Sequence, residues 1–308
     1  MDFKNKRLLI TGANGFVGRK LVEFLRSKGA ITYLFSRTLA SNMDKDLVSL
    51  DDISQLKIDV VIHLAAKAHV IEKKDSKSLD DLYLSNVDLP LSIATESLKA
   101  GAKRFIFISS IGVLGVSNNH PFTASSITAP HDLYSASKLD AELKLWSWSL
   151  KYNCELVVIR PPLVYGPRAP GNFGRLSVLV QKNLPLPLGA IHNKRSLVAL
   201  DNLVDLIATC VVHPKAANQT FLVSDDQDLS TTELITLMAR AAGKKPCLIP
   251  FPARLLFFMA KLVGKAAVVD RLCSNLQVDI SHTKDTLGWK PPISVEEGIR
   301  RCFNSVEC

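Results

Sequence analysis

Thr11-Gly-Ala-Asn-Gly-Phe-Val-Gly18 stands between an apolar run, Arg7-Leu-Leu-Ile10, and an amphipathic stretch from Phe16 to Lys28. Gly12, Gly15 and Gly18 recur at every third position across this strand-to-helix junction. The chain must turn sharply there, and glycine supplies turn conformations that other residues avoid. A helix starting at such a turn presents unpaired N–H groups that attract anions. In this context the pattern reads as a cradle for a dinucleotide pyrophosphate. Val17, Leu21, Phe24 and Leu25 share one side of the following helix, and Gly29 is its natural stop.

Further runs extend the pattern. Ile31-Thr-Tyr-Leu-Phe35, Val60-Val-Ile-His-Leu64, Arg104-Phe-Ile-Phe-Ile-Ser109 and Leu156-Val-Val-Ile-Arg160 are nearly continuous in large apolar residues. Such runs suit strands covered on both faces, and their alternation with amphipathic stretches predicts β-α-β units around a parallel sheet. The expected fold class is α/β, a Rossmann-type doubly wound parallel sheet. After Arg160 the chain becomes rich in proline and glycine, then helical over Phe251 to Val269. This predicts a smaller C-terminal α/β lobe. We divide the chain into a dinucleotide-binding unit, 1–165 with 195–220, and a substrate-binding lobe, 166–194 with 221–308. Ligands of open α/β sheets sit beyond the strand C-termini, where such a lobe would close over them.

The 308 residues suffice for a large core, and 47% hydrophobic with 22% charged residues is ordinary for a soluble globular protein. The net charge of +9 suits an anionic ligand. Lys and Arg are dispersed and not interleaved with aromatics, which argues against nucleic acid as a partner. Six cysteines without a C-x-x-C pair argue against zinc or any metal site. The N-terminus leads straight into a strand, leaving no room for a signal peptide. Leu255 to Ala260 is too short an apolar run to span a bilayer, so a cytoplasmic location is expected.

A second motif, Tyr134-Ser-Ala-Ser-Lys138, places a phenol and an ammonium at i and i+4 of a helix predicted over Ser135 to Trp148. A phenol of pKa near ~10 is a poor base at neutral pH. A neighbouring ammonium, together with an oxidised nicotinamide ring, is expected to lower it. His63-Leu-Ala-Ala66 ends a strand with small residues against which a cofactor can lie; His63 itself reads as a packed, hydrogen-bonded histidine. Ser36-Arg37 follows the second strand with no Asp or Glu beside it. An acidic residue there would bind the ribose hydroxyls and an arginine would accept a 2′-phosphate, so NADP(H) is preferred over NAD(H).

The glycine spacing and the Tyr134–Lys138 pair resemble the extended short-chain dehydrogenase/reductases. The closer resemblance is to the NAD(P)-dependent nucleotide-sugar epimerases, dehydratases and 4-keto reductases, UDP-glucose 4-epimerase among them. It spans essentially the whole chain, to Leu287-Gly-Trp-Lys-Pro291. The resemblance implies catalytic roles for Tyr134, Lys138 and Ser110. It implies cofactor contacts from Gly12, Asn14, Gly15, Phe16, Val17, Gly18, Ser36, Arg37, Leu64, Ala65, Ala66, Asn86 and Ser109, with Tyr134 and Lys138. Substrate contacts are implied for Ser110, Tyr134, His69, Asn172, Arg195 and Arg271. Arg195-Ser-Leu-Val198 is similar to an element whose arginine meets a nucleotide diphosphate, which also argues against a steroid- or flavonoid-type carbonyl reductase. A homodimer is implied.

The resemblance also separates the reactions. Dehydratases carry an Asp-Glu pair where this chain has Ile111-Gly112, so dehydration is disfavoured. The epimerase-type asparagine is Leu163 here, and a V-Y-G tyrosine is Leu114. The expected activity is reduction of a UDP-4-keto-6-deoxy-N-acetylhexosamine for cell-surface polysaccharide precursors. The alternative is a UDP-glucose or UDP-N-acetylglucosamine 4-epimerase with tightly held NAD. A non-catalytic sensor or scaffold is disfavoured, because both Tyr134 and Lys138 are present.

Overall fold

The computed structural model describes residues 1, 3–36, 46–67, 76–262, 264 and 266–303. Its strands are β1 (Arg7–Thr11), β2 (Ile31–Phe35), β3 (Leu47–Val48), β4 (Val60–His63), β5 (Arg104–Ile108), β6 (Glu155–Arg160), β7 (Leu163–Tyr165), β8 (Arg195–Ala199), β9 (Gln219–Leu222) and β10 (Asp228–Leu229). Seven form one sheet in the order β3-β2-β1-β4-β5-β6-β9, every pair parallel. The order reverses between β1 and β4, and a crevice opens at such a switch point beyond the strand C-termini. The glycine turn follows β1 there and Leu64-Ala65-Ala66 follows β4. The fold is the expected Rossmann-type α/β sheet.

Successive strand residues face opposite ways, and each face has its own core. Leu8, Ile10, Ile62, Ile106, Val157 and Ile159 pack with the helices Phe16–Ser27 and Leu200–Val212. Leu9, Val61, Phe105, Phe107, Leu156 and Val158 pack with the helices Leu89–Lys99 and Leu133–Tyr152. A smaller sheet, β10-β8-β7, carries β7 and β8 parallel and β10 antiparallel. Its core joins Tyr165, Phe173, Leu197, Ile235, Met238 and Ile299.

Two boundaries differ from the sequence reading. The expected helix over Phe251 to Val269 is interrupted: Ala253–Leu262 and Ala266–Cys273 flank Gly264, whose φ of +69° belongs to the left-handed region. The drawn division cuts across both sheets. At residue 220 it falls inside β9, where Thr220 pairs with Val158 of β6. The strands β7 and β8, assigned to the dinucleotide-binding unit, form the smaller sheet with β10 and so belong with the second lobe. Among the described residues no helix is long and apolar enough to cross a membrane.

Candidate active site

The glycine turn has no room for side chains. Gly12 has φ +68°, and a Cβ on it would lie 2.8 Å from the backbone nitrogen of Ala65. A Cβ on Gly18 would lie 2.1 Å from the carbonyl oxygen of Gly12. The turn is thereby drawn against the loop after β4. The helix Phe16–Ser27 begins at Gly15 with no side-chain cap and no acidic residue in its first turn. Its first N–H groups are left for an external acceptor, and the helix dipole favours an anion there. A cleft of about 640 Å³ opens beside this end, lined by Gly12, Gly15, Ser36, Leu64, Ala65 and Ala66 among others. An uncapped helix end, a glycine turn and a wall of small residues fit a dinucleotide pyrophosphate.

The opposite wall is fixed by hydrogen bonds that the motifs alone did not reveal. Thr11 Oγ1 accepts the N–H of Ala65 at 3.1 Å and lies 3.1 Å from His63 Nδ1. His63 is buried and stacks with Phe105 and Phe107, at centroid distances of 6.0 and 5.8 Å. Burial holds its pKa down to about 3, with Lys138 adding repulsion, so the imidazole is neutral. This is the packed histidine expected. Asn86 is buried in a π-helical turn, Leu84–Asp88. Its Oδ1 accepts the N–H of Lys67 at 2.7 Å, and its Nδ2 donates to the Lys67 carbonyl and to Ser137 Oγ at 3.0 Å. Asn86 therefore ties the loop after β4 to the Tyr134–Lys138 helix. Lys67 and Asp81, which also line the cleft, form an ion pair at 3.3 Å.

That helix starts where Asp132 accepts the N–H of Ser135 at 2.7 Å, which sets Tyr134 in its first turn. Lys138, four residues on, is fully buried with its Nζ 3.9 Å from the centre of the Phe107 ring. Burial lowers its pKa to about 7, against attraction from Glu142 one turn further along. Glu142 itself is held by Arg160 in a buried two-pronged ion pair of 2.6 and 3.1 Å. The i+4 spacing of Glu142 from Lys138 was readable; its partner on β6 was not.

From the chain's own groups alone, burial, reinforced by the Asp132 carboxylate, pushes the Tyr134 phenol up to about 12. The lowering expected from the ammonium together with an oxidised nicotinamide concerns the cofactor-bound site. Ser109 and Ser110 follow β5 directly. Ser110 Oγ accepts the N–H of Gly112 at 3.1 Å, which leaves its own O–H to donate. Ser109 Oγ is buried without a partner.

The remaining sites lie on the second lobe. Arg195 begins β8 and donates to the carbonyls of Arg271 at 2.8 Å and Ser274 at 3.0 Å. Burial, and the charge of Arg271 beside it, lower its pKa. The two candidate arginines are thus brought together. Asn172 is exposed in the first turn of the helix Gly171–Gln181, and Leu163 is 41% exposed. Arg37 and His69 lie outside the described residues.

Residues 8–224 match the protein family described as the NAD dependent epimerase/dehydratase family. The chain is 44% identical over 310 residues to a UDP-glucose 4-epimerase of Vibrio cholerae, covering 96% of this chain and 94% of that protein. Its backbone superposes on that of UDP-glucuronic acid 4-epimerase from Bacillus cereus in complex with NAD, with a TM-score of 0.77, 19% identity and coverage of 96% and 95%. RMD from Pseudomonas aeruginosa complexed with NADPH gives a TM-score of 0.74 at 22% identity, with coverage of 97% and 98%.

Proposed function

The chain belongs to the NAD dependent epimerase/dehydratase family, and on that premise we propose that it moves a hydride and a proton at C4 of a UDP-sugar, in the direction of reducing a 4-keto group. The observation that carries this reading is the placement of Tyr134 and Lys138 on one helix, locked by Asn86 to the loop that walls the glycine-lined cleft. The nicotinamide, when bound, supplies the hydride. The uncapped end of the helix Phe16–Ser27 takes the pyrophosphate, and Leu64, Ala65 and Ala66 give it a flat wall.

The residues of the chain manage the proton. The phenol of Tyr134, with its pKa near 12, is fully protonated and donates to the developing C4 oxyanion. The free O–H of Ser110 hydrogen-bonds the same oxygen. Lys138 orients the ribose and, once charged, helps Tyr134 release and regain its proton. Arg195 and Arg271 meet the diphosphate, for which planar guanidinium donors are suited. Reduction is favoured over epimerisation by Leu163, an aliphatic side chain where an epimerase-type asparagine would hold the sugar. Ser36 and Arg37 place NADP(H) ahead of NAD(H), and a UDP-4-keto-6-deoxy-N-acetylhexosamine is the substrate this supports. Epimerisation with retained NAD is the second reading, favoured by the 44% identity to the Vibrio cholerae UDP-glucose 4-epimerase.

One experiment separates the two. The purified protein is denatured and the released nucleotide measured, then fresh protein is given NADPH or NADH with a UDP-4-keto-6-deoxy-N-acetylhexosamine. Little retained nucleotide and consumption of reduced cofactor in proportion to keto-sugar supports reduction. Stoichiometric NAD, with interconversion of UDP-glucose and UDP-galactose and no net consumption, assigns epimerisation. Neither activity would refute the reading.

A further inference from the structure

The helix Ala253–Leu262 is apolar on two opposite sides. Ala253 and Leu256 pack on the core of the second lobe and Ala260 is buried beside them. On the other side Leu255, Phe258, Met259 and Leu262 are 47, 59, 52 and 73% exposed. Their i, i+3, i+4, i+7 spacing makes a continuous stripe, where a surface helix of a globular protein ordinarily carries polar residues. Phe257 and, on the approach to the helix, Ile249 are exposed as well. The sequence leading through the helix is one-signed: residues 234–262 contain Arg240, Lys244, Lys245, Arg254 and Lys261 but no Asp or Glu, and the first carboxylate beyond is Asp270 on the next helix.

We propose that this face docks reversibly on an anionic phospholipid bilayer. Aromatic and aliphatic side chains on one stripe, in a stretch of sequence whose only charges are cationic, match the two requirements of interfacial helices: burial at the acyl boundary and attraction to lipid phosphates. A ten-residue helix offers too little apolar area to hold a neutral bilayer by itself, so charge complementarity must contribute. The same charges disfavour a second copy as the occupant, since a two-fold contact would set cations against cations.

The test is co-sedimentation of the full chain with vesicles of phosphatidylcholine alone, or of phosphatidylcholine mixed with phosphatidylglycerol. Binding is expected only with phosphatidylglycerol present and should weaken as salt is added. Phe258→Ser with Leu262→Ser should lower the partition about tenfold or more, and so should Lys244→Glu with Lys245→Glu. Circular dichroism and thermal unfolding of both variants should match the parent, since all four side chains are on the surface. The proposal is overturned if the parent ignores both kinds of vesicle, binds them equally, or binds them as well after both pairs of changes. It is also overturned if the parent is a dimer that ignores vesicles and is split by the Phe258 and Leu262 changes, which assigns the face to self-association.

Discussion

A polar cluster in the small lobe and another at the rim of the large sheet are buried in opposite ways. In the small lobe Asp225 sits at the centre of a closed network. Tyr165 Oη, the N–H of Ala199 and Asn202 Nδ2 donate to it at 2.7, 2.8 and 2.7 Å, and Asn202 completes its own bonds with the backbone of Ile293. At the rim of the large sheet, His63 Nε2 and Ser109 Oγ are buried without partners and Lys138 rests on an aromatic face. Among the described residues Ser274 Oγ on the lobe's side, and Ser97 Oγ and Trp148 Nε1 on helices packed against the large sheet, are also buried without partners. Buried polar groups with every bond made specify a fold; those left short of partners destabilise it and persist where a ligand completes them. The comparison therefore sets a closed network that holds the lobe together against a cluster beside the proposed site whose bonds are not all made.

The sharpest way to break it is Tyr134→Phe. If the phenol is the proton donor, kcat should fall by about 10²–10⁴-fold. Cofactor affinity, measured by fluorescence titration with NADPH and NADH, and the melting temperature should barely change. Near-normal turnover would move the chemistry elsewhere.

Asp225→Ala should behave in the opposite manner. It strands three donors in a buried setting, and the loss of hydrogen bonds to a carboxylate costs on the order of 2–4 kcal/mol in total, since such losses do not add fully. Urea denaturation should show this loss while the nucleotide affinity of the surviving folded protein is retained. Loss of nucleotide affinity with unchanged stability would reverse the assignment of the two regions.

Why one region was legible and the other was not follows from sequence distance. The glycine turn and the Tyr134–Lys138 pair are local: spacing alone sets which groups share a turn or a helix face. Tyr165 and Asn202 fall just beyond the runs quoted from the sequence, and their bonds depend on Asp225, 60 and 23 residues away. The Arg195 carbonyl contacts and the Arg160–Glu142 pair are equally non-local. The break at Gly264 was a local signal, because a glycine inside an apolar helical run is a breaker. The raised Tyr134 pKa was illegible for a different reason. Spacing gives the neighbour's identity, but only the fold shows how far the phenol is withdrawn from water and that Asp132 stands beside it.

Asn86→Ala tests the seam between the regions of the site. It removes the clasp between Lys67 and Ser137 and leaves the Lys67 backbone groups to find water. A loss of about 1–3 kcal/mol is expected. The distinguishing effect is on the proposed site: nicotinamide dinucleotide affinity and kcat should both drop, because the loop after β4 and the Tyr134–Lys138 helix lose their common anchor. A purely structural asparagine would lower the melting temperature and leave both unchanged.

The smallest effect is a slope. Lys138 has a pKa of about 7 in the folded protein against an ordinary value near 10.5. Between these values the unfolded chain binds the extra proton, so ligand-free stability should rise with pH through this window, by at most about 1.4 kcal/mol per pH unit. Below pH 7 both states carry the proton, and the buried ammonium stands at its full destabilising effect. Other groups bend the upper end. Burial holds the thiols of Cys154 and Cys302 up at about 11 and 12, so above pH 9 the unfolded chain releases protons that the native one keeps, and stability falls. His63, at about 3, acts only in acid. The difference between the parent and Lys138→Met cancels these common contributions. Chemical denaturation at pH 6, 7, 8 and 9 should show Lys138→Met ahead of the parent at pH 6 and the gap closing as pH rises. A gap that stays constant would mean that Lys138 is paired in the native state as fully as Asp225 is, and the contrast between the two regions would not hold.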